Sequence, residues 1–203
     1  MHPYGIDSNE RRNILVFLVV SSFLLSELFG RIAATLGWVS PAILDWMFDP
    51  ASAAAWFAIL FYLFEHYVWR WKLLHRAKLV QLPNLNGSWT GTLKSSYDNF
   101  AKTHDIVITV KQTWSRLIVE LATEQSGSKS ETGSVYVNKA SQPILVYTYL
   151  NIPNPNQLES MAIHAGTTTL ELQECNEGMR LTGHYYSGRG RGNYGEITLS
   201  KSE

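Results

Sequence analysis

Apolar residues run almost unbroken from Ile14 to Phe29 (ILVFLVVSSFLLSELF), with Glu27 the one charge, and continue from Ile32 to Val39 after Arg31. Counted to Trp38 the stretch is about 25 residues, enough to cross a ~30 Å hydrocarbon core with some tilt. A second run, Ala51 to Trp69, carries only Glu65 and His66 as ionisable groups and is also of spanning length. The pattern predicts two transmembrane helices, at 13–39 and 51–71, after an N-terminal segment at 1–12 and joined by a short connection at 40–50. Past a linker at 72–85 the pattern changes to short alternating segments separated by turn residues, the signature of an all-β unit over 86–203. Strands are expected near Ser88–Ser95, His104–Lys111, Trp114–Thr123, Gly133–Asn138, Ile144–Asn151, Met161–Gln173, Met179–Tyr186 and Tyr194–Ser200. Alternation is clearest where Ile106, Ile108 and Val110 oppose Asp105, Val107 and Thr109. Eight strands in this length suit a small closed barrel or a sandwich.

Charge placement orients the spans. Arg11 and Arg12 precede the first, Arg70, Lys72, Arg76 and Lys78 follow the second, and the connection holds Asp45 and Asp49 but no cation. Cytoplasmic flanks are enriched in Lys and Arg, so both termini are expected in the cytoplasm and the connection in the periplasm. Trp38 and Trp46 on one side, with Trp69 and Trp71 on the other, match interfacial aromatic belts. A cleaved signal peptide would share the two arginines and Ala33-Ala34, but the apolar stretch is longer than a signal core. Ser22, Ser26 and Gly30 recur at four-residue spacing, as do Ala51 with Ala55 and Ala54 with Ala58, stripes that let helix backbones approach closely. Glu27 and Arg31 share a helix face, where a local ion pair or an interfacial snorkel is expected, the alternative being an intramembrane polar contact between assembled copies.

Overall charge adds little, since Lys plus Arg and Asp plus Glu are 17 each. That balance gives no electrostatic reason to expect a duplex nucleic-acid binder. One cysteine, Cys175, rules out an intrachain disulfide framework and paired-cysteine zinc sites. No phosphate-binding loop, His-Glu-x-x-His or nucleophile elbow is present, so no catalytic set, metal or cofactor is expected. His164 and His184 could meet across a barrel, where hydrogen bonding or stacking is expected of them rather than metal or catalytic chemistry.

Candidate binding chemistry falls in the β unit. Tyr185-Tyr186-Ser187-Gly188-Arg189-Gly190-Arg191-Gly192-Asn193-Tyr194-Gly195 combines turn-forming glycines with two guanidinium forks and several aromatic faces. Those are the groups that a small phosphorylated, base-bearing ligand needs, although a solvated hairpin loop has the same composition. Tyr147, Tyr149 and Asn151 alternate and share a strand face. Thr113-Trp114-Ser115-Arg116 marks a tight turn between strands. Ser126, Ser128 and Ser130 are expected in a polar turn, a flexible hairpin tip whose hydroxyls could also donate to a ligand. The Gly-x-Trp of Asn86-Gly87-Ser88-Trp89-Thr90-Gly91 suits a barrel start, with the indole as an end plug.

The order of two spans before a barrel, with NGSWTG, QTWSR (Gln112–Arg116), YTYLNIPNP (Tyr147–Pro155) and HYYSGRGRGNYG (His184–Gly195), resembles a known family. It is similar to the SMODS-associated, two-transmembrane, β-strand-rich effectors of bacterial CBASS antiphage defence, also described as CD-NTase-associated transmembrane β-barrel effectors, over nearly its full length. The resemblance implies an eight-stranded lipocalin-like barrel that binds a cyclic dinucleotide made by a partner nucleotidyltransferase. It further implies oligomerisation in the inner membrane and its disruption, killing the infected cell without turnover. Ligand chemistry then points to Arg116, Arg189 and Arg191 for phosphate, Tyr147, Tyr149 and Tyr186 for stacking, and Asn151 for a base edge. A membrane-tethered carrier of an apolar ligand would share the barrel but need an apolar lumen. An assembly protein would have a filled one.

Overall fold

The computed structural model describes residues 1–38, 50–123, 125–138, 141–157, 162–175, 178–188 and 191–202. Outside these residues lie Arg189, Met161 and nearly all of the 40–50 connection, with Asp45, Trp46 and Asp49. The chain forms two compact units, residues 9–81 and residues 1–8 together with 82–203.

In the first unit, helix α1 covers Glu10–Thr35 and buries Ile14, Leu18, Ser22, Ser26, Gly30 and Ala33 along one stripe. The stripe packs on helix α2, Pro50–His66, with Ser26 Oγ 2.5 Å from Ser52 Oγ and the Phe29 ring edge-on to Trp56 at 6.0 Å. Small side chains on that line bring the two backbones close enough for hydroxyls to meet. Arg31 donates to the Glu27 carboxylate one turn away, as the spacing predicts. At 1.5 Å per residue, α1 is about 39 Å long and α2 about 26 Å. Among the described helices, only α1 is long and apolar enough to cross a bilayer. The segment expected as a second continuous span divides: α2 stops at His66, Tyr67 leaves helical geometry, and a 3-10 turn at Val68–Arg70 leads into the short helix α3, Lys72–Arg76. The apolar run therefore continues beyond the helix that it begins.

The second unit is a closed barrel. Its strands are β3 (Gly87–Ser95), β4 (Thr103–Gln112), β5 (Arg116–Ala122), β6 (Ser126–Tyr136), β7 (Ile144–Pro153), β8 (His164–Cys175), β9 (Gly178–Ser187) and β10 (Tyr194–Lys201), preceded by two two-residue strands, β1 (His2–Pro3) and β2 (Gly5–Ile6). Neighbours in chain order pair antiparallel from β3 to β10, and β10 returns to β3 over seven residue pairs, Gly195↔Ser95 to Lys201↔Trp89. Closure leaves the barrel strands no free edge around most of the circumference. Gly91 allows that closing contact, because a Cβ there would lie 2.0 Å from the Thr198 carbonyl oxygen.

One segment differs from expectation. Ser126, Ser128 and Ser130, read as a hairpin tip, form the first half of β6, with Ser128 and Ser130 buried on its inner face. Small polar residues facing inward hide the period-two hydrophobic signal that marks the other strands.

The two ends of the barrel differ in chemistry. Trp89, Trp114, Leu117, Leu145, Leu181 and Leu199 fill one end and are each no more than 2% exposed. Trp89 donates its indole N–H to the Leu85 carbonyl (2.9 Å), with the Lys201 ammonium over its ring at 5.5 Å. Gln112, also fully buried, ties the strap before β3 to the barrel: its Oε1 accepts from the Leu85 N–H, and its Nε2 donates to the Tyr4 hydroxyl and the Pro83 carbonyl. The opposite end is open and polar.

Candidate functional site at the open barrel end

The open end is where β3, β5, β7 and β9 finish and β4, β6, β8 and β10 begin. The inner face of β7 carries Leu145, Tyr147, Tyr149 and Asn151 in strict alternation, so the leucine lies in the core and the next three line a cleft. The face predicted for Tyr147, Tyr149 and Asn151 is thus the inward one.

Side chains of β3 and of β5 to β10 line the cleft. Ser128 stands beside Asn151 across the β6–β7 pair, and His164 faces Asn151 from β8. Thr168 hydrogen-bonds the Tyr147 hydroxyl and Ser187 the Tyr149 hydroxyl. Tyr185, from β9, donates to Ser95 Oγ at 2.8 Å. The Tyr147 and Tyr149 rings are 6.4 Å apart and inclined by 57°. Gly166 makes room for Tyr149, since a Cβ at that position would fall 2.3 Å from the phenol oxygen.

Burial sets the protonation of the three phenols. It pushes Tyr147 up to about 12, against a small opposing effect of its Thr168 hydrogen bond. It also raises Tyr149 and Tyr185, opposed in part by their hydrogen bonds and by the nearby Arg191 charge. All three are therefore neutral donors near neutral pH.

Arg191 is the one guanidinium lining the cleft among the described residues. It sits 5.5 Å over the ring of Tyr97, an exposed residue of the 3-10 turn Ser96–Asp98, at a polar vestibule that also includes Lys102, His104 and Gln157. The turn is closed by Asn99 and Phe100, both at positive φ, with the Phe100 ring 5.8 Å from Tyr194.

The structure brings together Tyr147, Tyr149, Asn151 and Arg191 of the residues picked out by ligand chemistry. Arg189 lies outside the described residues. Arg116 begins β5 at the closed end, paired with Pro3, and does not line the cleft. Tyr186 points outward, 54% exposed, with its ring edge-on to His184 at 5.2 Å. Its neighbour Tyr185 faces in. The phase of β9 is set by the buried Leu181, and four residues on brings Tyr185 to the same side. His184 shares the outer face with Tyr186, so it does not meet His164. Ser95 and Gly166 are not marked by the sequence, and Tyr185 lies in the aromatic and arginine-rich stretch without being among the residues assigned to stacking. The Leu181 phase could have found Tyr185, whereas Ser95 and Gly166 carry no local signal.

The cleft thus offers neutral hydroxyl donors, one side-chain amide, aromatic faces and a cation at its mouth. Such a set recognises a ligand carrying both rings and anionic oxygens. Among the described residues no cluster of three or more His, Cys, Asp or Glu side chains is placed to hold a metal.

Comparison with known proteins gives two findings. Residues 80–201 match the family described as "Cap15, cyclic dinucleotide receptor domain". CD-NTase-associated protein 15 of Yersinia aleksiciae is 29% identical over 159 residues, covering 77% of this chain and 73% of that protein.

Proposed function

This chain belongs to the Cap15 family of CBASS-associated cyclic dinucleotide receptors, and from that premise we propose that the open end of its barrel binds a cyclic dinucleotide as an activating signal. The ligand comes from a partner nucleotidyltransferase. The observation that carries the reading is the convergence, at one end of the family's receptor domain, of Tyr147, Tyr149 and Tyr185 with Asn151 and Arg191. Two phosphates call for cationic forks, supplied by Arg191 and, nearby in sequence, Arg189. Two bases call for ring faces and edge donors, supplied by the tyrosines and Asn151. Hydroxyls and an amide lining the cleft speak against a carrier of apolar ligands.

The remainder of the proposal concerns the helices. α1 spans the inner membrane, and α2 with the residues that follow it returns the chain to the cytoplasmic side. Both termini are cytoplasmic, consistent with Arg11, Arg12, Lys72 and Arg76 flanking the apolar runs. Ligand binding favours a self-associated state of the helices, which disrupts the membrane and kills the infected cell. The Ser22, Ser26 and Gly30 stripe already holds α1 against α2 within the chain, which leaves the exposed apolar face of α1, with Phe17, Leu24 and Leu28, for contact between copies. No chemical step is invoked.

The test uses the full chain in detergent or lipid nanodiscs, with thermal stabilisation measured against a panel of cyclic dinucleotides, linear dinucleotides and fatty acids. One cyclic dinucleotide should stabilise the protein in a concentration-dependent way. Arg191→Ala should weaken its binding at least tenfold, in line with ~1.5–3 kcal/mol for a charge-assisted hydrogen bond. Arg116→Ala should leave binding within twofold. Stabilisation by fatty acids alone, or equal losses in the two variants, would overturn the assignment.

A further inference from the structure

The barrel has one incomplete seam. β5 and β6 pair directly at only three positions, Glu120↔Lys129, Leu121↔Ser128 and Ala122↔Gly127, all at the open end. Towards the closed end the two strands diverge, and residues 2–6 occupy the gap. His2 and Pro3 pair antiparallel with Leu117 and Arg116 of β5, and Gly5 and Ile6 pair parallel with Ser134 and Val135 of β6. The first residues of the chain thus supply the missing rung of a barrel whose other strands begin some eighty positions later.

The insertion is held by side chains as well as by the ladder. Tyr4 is buried and donates to the Trp114 carbonyl at 2.9 Å. Asp7 accepts the Val137 N–H at 2.7 Å. His2 Nε2 lies 2.8 Å from Ser130 Oγ, and the same hydroxyl accepts the N–H of Val119 on β5 at 2.9 Å. Ser130 therefore joins β5, β6 and the inserted segment at the point where the strands part, beside a register irregularity in β6. Ser128, two residues earlier on the same inner face, lines the ligand cleft.

We propose that residues 2–8 are a seam strand that relays occupancy of the cleft to the first membrane helix. The inference rests on the ligand reading given above. Three observations converge on it. The cleft wall and the inserted segment share β6, where the cleft-lining Ser128 and the His2-bonded Ser130 are two residues apart. The β5–β6 contact is short enough to hinge about its three pairs. The segment also leads into α1, whose first residue is Glu10, with only Asp7, Ser8 and Asn9 between it and the last residue of β2. A ligand that draws Ser126 and Ser128 inward changes the gap between β5 and β6, and the occupant of that gap is covalently continuous with the helix. A relay of this kind shifts a population between two seam arrangements, so it works only if the ligand binds one of them better.

A reversible lock tests this directly. A Cβ at Gly5 would lie 3.5 Å from Ser134 Cβ, within the spacing that a disulfide requires. The full chain carrying Gly5→Cys, Ser134→Cys and Cys175→Ser is reconstituted in vesicles of bacterial phospholipid, and both thermal stabilisation by the cyclic dinucleotide panel and release of an entrapped dye are measured, oxidised and reduced. The oxidised protein should bind the cyclic dinucleotide but release dye at least tenfold more slowly than the reduced protein, and added reductant should restore release. The reduced sample serves as the folding control for the same polypeptide. Equal release in the two states overturns the relay while leaving ligand binding intact. Loss of binding on oxidation overturns it as an element downstream of the cleft. No stabilisation by any cyclic dinucleotide in either state overturns the ligand reading itself, and binding without dye release from the reduced protein overturns the membrane reading, each taking the relay with it.

Discussion

Gly166 and Gly127 offer a matched pair of substitutions whose outcomes the structure separates. Both sit in barrel strands near the open end, and neither has a positive φ. A Cβ at 166 would stand 2.3 Å from Cζ and Oη of Tyr149 and 2.5 Å from the Tyr186 carbonyl oxygen, whereas one at 127 meets nothing closer than the Leu121 carbonyl oxygen at 3.9 Å. Ordinary contact begins near 3.4 Å, so at 166 both a phenol ring and a neighbouring strand must give way by about an ångström. Overpacking of this kind costs about 1–3 kcal/mol. Against it stands the reduced freedom of the unfolded chain, which favours alanine by about 0.4–1 kcal/mol wherever the backbone accepts it. Gly166→Ala should therefore destabilise the barrel by roughly 1–2 kcal/mol, and Gly127→Ala should leave it unchanged or slightly stabilised. For a unit of this size that separates their barrel melting transitions by roughly 4–10 °C. Displacing the Tyr149 ring also removes one stacking face from the cleft, about 1–3 kcal/mol per base, or roughly 5- to 150-fold in affinity. Thermal unfolding and ligand titration of the full-length variants measure both effects. Equal melting temperatures and equal affinities for the two variants would refute the packing argument and, with it, the place of Tyr149 in the site.

Tyr185→Ala should weaken cyclic dinucleotide binding at least tenfold while Tyr186→Ala stays within twofold, since only the first faces the cleft; titration of the two variants decides it, and the reverse order would move the site to the outer surface. Alkaline pH should destabilise the barrel. Burial raises Tyr147 to about 12, so near neutral pH the phenol is protonated in both folded and unfolded chains. Above about pH 10 the unfolded phenol ionises first, and stability falls until the folded one ionises too, by about 2–3 kcal/mol over the interval. Tyr149 and Tyr185 act in the same direction. Denaturant unfolding from pH 8 to 12 should show the decline, and Tyr147→Phe should flatten it; an identical slope in that variant would place the ionising group elsewhere.

Much of this architecture is legible locally. Where one face of a strand is packed with Ile, Val and Leu and the other is polar, as in β4, β5 and β10, the period-two pattern marks both the strand and its inward side. β7 is legible for the same reason, which is why Tyr147, Tyr149 and Asn151 could be placed on one face before any contact was known. The first half of β6 was not, because its inward residues are serines that satisfy a polar cleft rather than a core. Two adjacent aromatics, Tyr185 and Tyr186, give composition without phase, and only the burial of Leu181 turns Tyr185 inward. Arg116 and Arg191 look alike in sequence; strand direction around the closed barrel sends one to the filled end and the other to the cleft.

The amino-acid sequence by itself determined the elements of this protein: two apolar helical runs, eight alternating strands, a tryptophan plug and, through its motifs, a resemblance to a receptor family. Each of those is a local property, written in the spacing of side chains over ten or twenty residues. Tertiary structure alone decided which end of the barrel is open, which side chains meet there, and that the first eight residues belong to the barrel rather than to the helix they precede. A two-residue strand has too little pattern to announce itself, and its place in the seam follows only from the gap that β5 and β6 leave when the sheet closes on itself.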